Sequence, residues 1–392
     1  MTKFASYFFY SKKGDTMKKI IAIVLGIMII LSINKKDLEE QKEEMRGVFI
    51  SYIELQEKLK NQEENQIHKN IVEMLENCQR LKLNTVILQV RASSDAIYPS
   101  KIFPKSSYLK EETDILKIFI EESHKREIKL IAWINPYRIS TTNDISKISK
   151  DSPAYSYRNT DTIWIGNGIF WNPSKEIVEE MIIKGVKEIL EYPIDGLLID
   201  DYFYPDKEID RKDYEEYKKK TNISIEEYHF EKINQLLKKI HKECQKKNVI
   251  FGVSPDGNIE NNYEKHFADV KKWMSSKEYI DFIMPQIYYG FYNSTKAYCK
   301  VLEEWESYLK EEAIDFYTAL AFYKVGREDN YAKEGRKEWL ENDNIIMREI
   351  LLSRNRKNYQ GFSLFRYDYL FEENHYTNNS KLELENLKKV IK

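Results

Sequence analysis

From residue 45 onward, short apolar runs rich in β-branched residues alternate with longer segments in which apolar positions recur at helical spacing among Lys and Glu. That is the pattern of βα units around a parallel sheet, whose strands are buried on both faces and read as near-continuous apolar stretches. Eight strands are predicted, at Gly47 to Ser51, Thr85 to Arg91, Leu130 to Asn135, Gly196 to Asp200, Ile250 to Ser254, Phe282 to Ile287, Phe316 to Phe322 and Gly361 to Arg366. Helices are predicted between them, among others at Ile67 to Leu81, Asp114 to Glu127, Ser174 to Glu191, Glu226 to Lys246 and Thr295 to Leu309. Eight parallel strands close a barrel, so the expected fold class is α/β, a single (β/α)8 TIM barrel over residues 45–392. The connections from Tyr137 to Pro173 and from Tyr323 to Asn344 are long for βα loops, and long loops on that face build the cleft.

Upstream, Lys18 and Lys19 precede an uninterrupted apolar run from Ile20 to Leu31. The run is shorter than the roughly 20 residues that span a bilayer comfortably, and no clear small-x-small cleavage site follows. Residues 1–33 are expected to be a secretory signal peptide or an uncleaved membrane anchor, and residues 34–44 a charged tether. The expected location is secreted, or membrane-anchored outside the cytoplasm.

Charge is balanced, 62 Lys and Arg against 64 Asp and Glu, so no nucleic-acid partner is expected. Cys78, Cys244 and Cys299 are too few and scattered for a disulfide framework or a zinc site. The 28 Tyr, 18 Phe and 6 Trp supply faces on which sugar rings stack, although most aromatics serve a core.

Candidate chemistry sits at the strand ends, because catalytic groups in a barrel converge there from several strands. These ends are Gln89-Val-Arg91 running on to Asp95, Asn135-Pro-Tyr-Arg138, Asp200-Asp201-Tyr202, Ser254-Pro-Asp256, Gln286-Ile-Tyr288, Tyr323-Lys324 and Arg366-Tyr-Asp368. No His stands at any of them, which disfavours a His-ligated metal hydrolase, and no glycine-rich phosphate loop is present. No metal and no cofactor is expected. Carboxylates beside amides and Tyr suit glycoside hydrolysis, in which one carboxyl protonates the leaving oxygen and another attacks or activates water.

The stretch Asp195 to Pro205, DGLLIDDYFYP, is the most informative: a buried strand that ends in two acids. If Leu198 points into the barrel, alternation puts Asp200 and Tyr202 on the same side and Asp201 on the other. Asp200 is the first catalytic candidate, with its ionised form supported by Arg91 or Arg138. Asp256 ranks next as the second acid, ahead of Asp95, Asp368 and Asp201. Asp368 also reads as a salt bridge to Arg366, and Asp95 as a turn residue.

At the segments MRGVFIS, NTVILQVRASSDAIYPSKIFP, IAWINPYR, DGLLIDDYFYP, FGVSPDGNIENNY, DFIMPQIYYGF, LAFYKVG and GFSLFRYDYLF the chain resembles the bacterial glycosyl-hydrolase-like ten family of TIM-barrel proteins. The resemblance implies a glycoside hydrolase of the cell envelope, acting on polysaccharide such as peptidoglycan strands. It implies site roles for Gln89, Arg91, Asn135, Arg138, Asp200, Asp201, Tyr202, Gln286, Tyr288 and Tyr323. Ala92 stands where the family commonly has Pro, and Asp256 where many members are uncharged, so Asp201, Asp95 and Asp368 stay open as the acid. Two other readings stand beside hydrolysis: a non-catalytic carbohydrate-binding barrel, and a metal-dependent hydrolase or deacetylase of envelope sugars.

Overall fold

The computed structural model of the protein describes residues 43–110, 113–200, 203–310 and 314–391. The expected signal or anchor and nearly all of the tether lie outside the described residues, as do Asp201 and Tyr202. No helix among the described residues is long and apolar enough to cross a membrane.

Eight parallel strands form a closed barrel: β1 (Met45–Ile50), β2 (Thr85–Arg91), β3 (Lys129–Ile134), β4 (Gly196–Ile199), β5 (Ile250–Val253), β6 (Phe282–Ile283), β7 (Asp315–Leu320) and β8 (Tyr359–Leu364). Each pairs with its neighbours in sequence, and β1 closes on β8 with Gly47 beside Ser363. The fold is thus the (β/α)8 TIM barrel expected from the alternation of apolar runs. Side chains alternate between two apolar layers, as strand geometry requires. Phe49, Ile87, Ile131, Trp133, Leu198, Phe282 and Tyr317 fill the barrel interior. Val48, Val86, Leu88, Leu197, Ile199 and Phe251 face outward into the larger core beneath the helices.

Those helices are amphipathic and start on local signals. Ser224 caps Ile225–Lys246 in a capping box with Glu227, and the Asp114 carboxylate accepts from Lys117 N to open Ile115–His124. Cys78, Cys244 and Cys299 lie in helices as free thiols, the first two buried.

The long connection after β3 is not plain loop. Arg138–Ser140, Ile163–Gly166 and Gly168–Trp171 form a small antiparallel sheet. The turn between its last two strands needs Gly168, whose φ is +135° and whose position leaves no room for a Cβ, 2.7 Å from Ser140 O. Trp171 Nε1 donates to Ser94 Oγ at 2.8 Å and ties this sheet to the loop after β2. The long connection after β7 is held to the preceding loop through Lys324, which donates to Tyr288 O at 2.8 Å. Glu338 secures it further by accepting from Phe291 N and Tyr292 N.

Candidate active site

A cleft of about 330 Å³ opens at the C-terminal ends of the strands. Ser51 and Tyr52 enter it from β1, Gln89 from β2, Trp133 and Arg138 from β3, Asp200 from β4, and Ser254 from β5. Gln286 and Tyr288 follow from β6, and Phe365 and Arg366 from β8. One side is an aromatic shelf. Phe49 meets Trp133 and Phe365 edge-on, each at 5.6 Å, and Tyr288 lies 5.7 Å from Phe365.

Asp200 is the only carboxylate among the described residues that line this cleft, and it is 3% exposed. Leu198, two residues before it, belongs to the barrel interior, so the pleat of β4 directs Asp200 up from the centre of the barrel. Its Oδ2 accepts from Trp133 Nε1 at 3.1 Å and from Asn135 Nδ2 at 3.4 Å, both from the end of β3. Asn135 is itself fixed, because its Oδ1 accepts from Arg138 N at 3.2 Å. The carboxylate is therefore oriented by the end of β3 where it lines the cleft.

The other sequence-predicted residues fall into three groups. Gln89, Arg138, Gln286 and Tyr288 line the cleft with Asp200, and Asn135 and Tyr323 stand directly behind it. Gln89 Oε1 accepts from Tyr52 N at 3.0 Å, Arg138 Nε donates to Ala92 O at 2.8 Å, and Gln286 Nε2 donates to Ser254 O at 3.0 Å. Tyr323 packs edge-on against Tyr288 at 5.9 Å, and burial pushes its hydroxyl up to about 12, which keeps it a neutral donor.

Arg91 does not face Asp200. The β2–β3 register slips between Gln89 and Arg91, so the side chain emerges outside the barrel. Its guanidinium lies 4.3 Å above the Phe103 ring, beneath the helix Glu176–Ile189. Of the predicted partners of Asp200, only Arg138 is at the mouth.

Three of the ranked acids lie off the cleft. Asp256 accepts from Asn258 N at 2.7 Å and Asn261 Nδ2 at 2.9 Å, holding the turn ahead of the helix Ile259–Glu264, which Asn258 caps. Asp368 accepts from Arg366 Nη2 at 2.7 Å and Tyr369 N at 2.9 Å, so the salt bridge to Arg366 is present. Asp95 lines a neighbouring groove between the loop after β2 and the inserted sheet. Burial lifts its carboxyl above the usual range, opposed by bonds from Ser106 and Ser93 and by Arg138.

One acid escaped the sequence reading. Glu54 lies in the first turn of the helix Tyr52–Leu59, and its Oε2 accepts from Ser51 N at 2.9 Å and from the Ser51 hydroxyl. Arg366 Nε stands 3.2 Å from its Oε1. Burial pushes this carboxyl up to about 7 against the pull of Arg366, with the Asp368 charge adding to the rise. The signal was present as Ser51-x-x-Glu54, the pattern of a capping box, which ordinarily sits in solvent. No cluster of three or more His, Cys, Asp or Glu suited to hold a metal occurs among the described residues.

Comparison with known proteins agrees with the barrel. A family model described as Glycosyl hydrolase-like 10 matches residues 44–339. The chain belongs to the glycosyl hydrolase-like 10 family. Among curated relatives, the glycosyl hydrolase YngK of Bacillus subtilis is 30% identical over 344 residues, 78% of this chain and 66% of that protein. The chain thus spans slightly under two thirds of that relative. The glycosyl hydrolase DigH of Escherichia coli K12 is also 30% identical, over 76% of this chain and 75% of its own length. The barrel of this chain is also similar to the glycoside hydrolase domain of PgaB (BpsB) from Bordetella bronchiseptica. That match has a TM-score of 0.56 at 11% identity, covering 89% of this chain and 99% of that domain. Alpha-L-fucosidase isoenzyme 2 from Paenibacillus thiaminolyticus follows, with a TM-score of 0.54 at 12% identity, covering 88% and 48%. At those identities the likeness is one of fold.

Proposed function

We propose that the protein hydrolyses O-glycosidic bonds of bacterial envelope polysaccharide, peptidoglycan-type glycan strands foremost, and that it works outside the cytoplasm. The observation that carries this reading is Asp200, a buried carboxylate oriented by Trp133 and Asn135 at the centre of an aromatic-walled barrel mouth. The membership of the family and the glycosyl hydrolase names of its Bacillus and Escherichia relatives support it.

In the proposed reaction, a sugar ring lies on the shelf of Trp133, Phe365 and Tyr288, and Asp200 serves as nucleophile or as the base that activates water at the anomeric carbon. Arg138, Gln89 and Gln286 bind sugar hydroxyls. Asp256 and Asp368 are committed to local hydrogen bonds and Asp95 lines a neighbouring groove; β4 ends at Ile199, so strand alternation does not constrain Asp201, and we assign the second carboxyl to it. The Lys-led apolar run from Ile20 to Leu31 supports export.

The test is release of reducing ends from purified peptidoglycan glycan strands. Asp200→Asn is expected to lower kcat by about 10² to 10⁴ while glycan binding and the melting temperature hold, in line with the loss of one acid/base group. Full activity in that variant removes Asp200 from the mechanism. A second reading, a carbohydrate-binding barrel without chemistry, is favoured by the single carboxylate among the described lining residues. It is selected if the wild-type protein binds strands and releases no ends at any pH from about 4 to 9, the span over which carboxylate acid/base pairs work.

A further inference from the structure

We infer that Glu54 is a positioning residue that sets whether the Ser51 hydroxyl offers the bound glycan a proton or a lone pair. The inference rests on the glycan-binding reading of the cleft and adds a residue that lies at no strand end.

A capping-box glutamate normally has one task, accepting from the N-cap backbone, and remains in water. Glu54 departs from that pattern twice. It is 1% exposed, and its second oxygen faces Arg366 Nε at 3.2 Å across the seam where β8 meets β1. Both of its partners, Ser51 and Arg366, line the cleft. The charged groups around it are few. Arg366 and Asp368 approach from the segment after β8, and His375 stands one step further out, 3.6 Å from Asp368. On its own helix Lys58 is turned away to Glu372 at 2.7 Å.

The proton positions follow from this geometry. Ser51 Oγ accepts from Ile53 N at 3.3 Å and has one proton of its own. When Glu54 is ionised, that proton points at Glu54 Oε2, and the hydroxyl turns a lone pair to the cleft. When Glu54 is protonated, its proton belongs on Oε2, because Oε1 stands 3.2 Å from the Arg366 guanidinium, whose positive charge disfavours a proton there. It then bonds to Ser51 Oγ, and the Ser51 proton is released toward the cleft. Protonation of a hidden carboxyl thus reverses the polarity of a hydroxyl that faces the ligand. The ligand class that senses this is a sugar presenting an acceptor oxygen there, whether ring, glycosidic or acetamido carbonyl.

Binding of peptidoglycan glycan strands to the full chain carrying Asp200→Asn, which prevents turnover, tests the idea by calorimetry at about pH 6 and pH 8, on either side of neutrality. Affinity is expected to fall roughly three- to tenfold from the lower to the higher pH, the worth of one hydrogen bond. Adding Glu54→Gln, whose amide donates permanently to Ser51 Oγ, should hold the low-pH affinity at both values. Adding Ser51→Ala should bring both values to the weaker level, whereas Ser51→Thr should restore the dependence. A dependence that survives in Glu54→Gln or Ser51→Ala overturns the inference while leaving the glycan reading intact. Thermal melts at both pH values identify a variant that fails to fold, in which case the remaining Ser51 variants decide. If the Asp200→Asn chain binds no strands at any pH, the proposed function fails and this inference falls with it.

Discussion

Asp200 depends on its neighbours for direction, and the indole of Trp133 is a closer donor to it than the Asn135 amide. A hydrogen bond to a charged group contributes about 1.5–3 kcal/mol, and about 1.4 kcal/mol is a factor of ten in rate. Trp133→Phe keeps an aromatic face beside Phe49 and deletes only the donor, so kcat for glycan strands is expected to fall about ten- to a hundredfold with a smaller change in KM. Steady-state release of reducing ends checks this, and an unchanged kcat shows that the indole bond does not act in the reaction. At this scale the sequence was partly legible. Strand alternation carries from Leu198 in the barrel interior to Asp200 in the cleft above it. The expected support of Asp200 by Arg91 failed, because a register slip after Gln89 is set by the pairing of two strands and leaves no mark in either. Glu54 was hidden for the opposite reason: its local pattern has a sufficient explanation as a cap, and only the return of β8 beside β1 brings Arg366 to it.

Elements were more legible than contacts. Continuous apolar runs between charged amphipathic segments located all eight strands to within two residues at their starts, since a parallel strand buried on both faces has little freedom in composition. The inserted sheet after β3 was missed because strands of three or four residues carry too little periodicity to register. Helix-to-barrel packing was not legible either, and Gly185 shows why. It lies inside the helix Glu176–Ile189, where Ala would ordinarily be preferred by about 1 kcal/mol. A Cβ there would stand 2.0 Å from Arg91 Nη1 and 2.6 Å from Phe103 Cε2, in a buried site where neither group can swing into solvent. Overpacking of that kind costs about 1–3 kcal/mol and outweighs the propensity gain. Gly185→Ala is expected to lower the melting temperature by several degrees in calorimetry; a rise would mean that Arg91 repacks freely.

Across the whole molecule, buried carboxyls give stability a pH dependence that the near-neutral net charge conceals. Burial pushes Glu383 from 4.5 up to about 7 against bonds from the backbone of residues 345–347, and it pushes Glu54 from 4.5 up to about 7 as well. Glu349, fully enclosed between the helices Ile345–Ser353 and Asn378–Val390, is raised well above the usual range by burial and by the nearby charges of Glu383 and Glu338. Below the unfolded-state value near 4.5 these groups are protonated in both states and cost nothing. As pH rises from there, the unfolded chain releases protons that the folded chain retains, and stability is lost until the folded value is passed. Between about pH 5 and pH 7 the loss is about 1.4 kcal/mol per pH unit for each such group, hence on the order of 2 to 3 kcal/mol for Glu383 alone. His241 works in the same direction: burial opposes its protonation, the Asp281 carboxylate overcomes that, and the stability its raised value contributes is lost as pH climbs. Glu122 works in the opposite direction, held down to about 2 by Lys125 and Arg126, but its contribution is lost only as pH falls below the unfolded value, outside this window. The protein is therefore expected to be most stable near about pH 5 and to weaken steadily toward about pH 8. Urea unfolding at those two pH values measures the slope, and Glu383→Gln should shrink the difference by on the order of 2 to 3 kcal/mol, chiefly by raising stability at the higher pH. An unchanged difference in that variant would show that Glu383 ionises at its ordinary value in the folded chain, and would move the origin of the slope to Glu349 and Glu54.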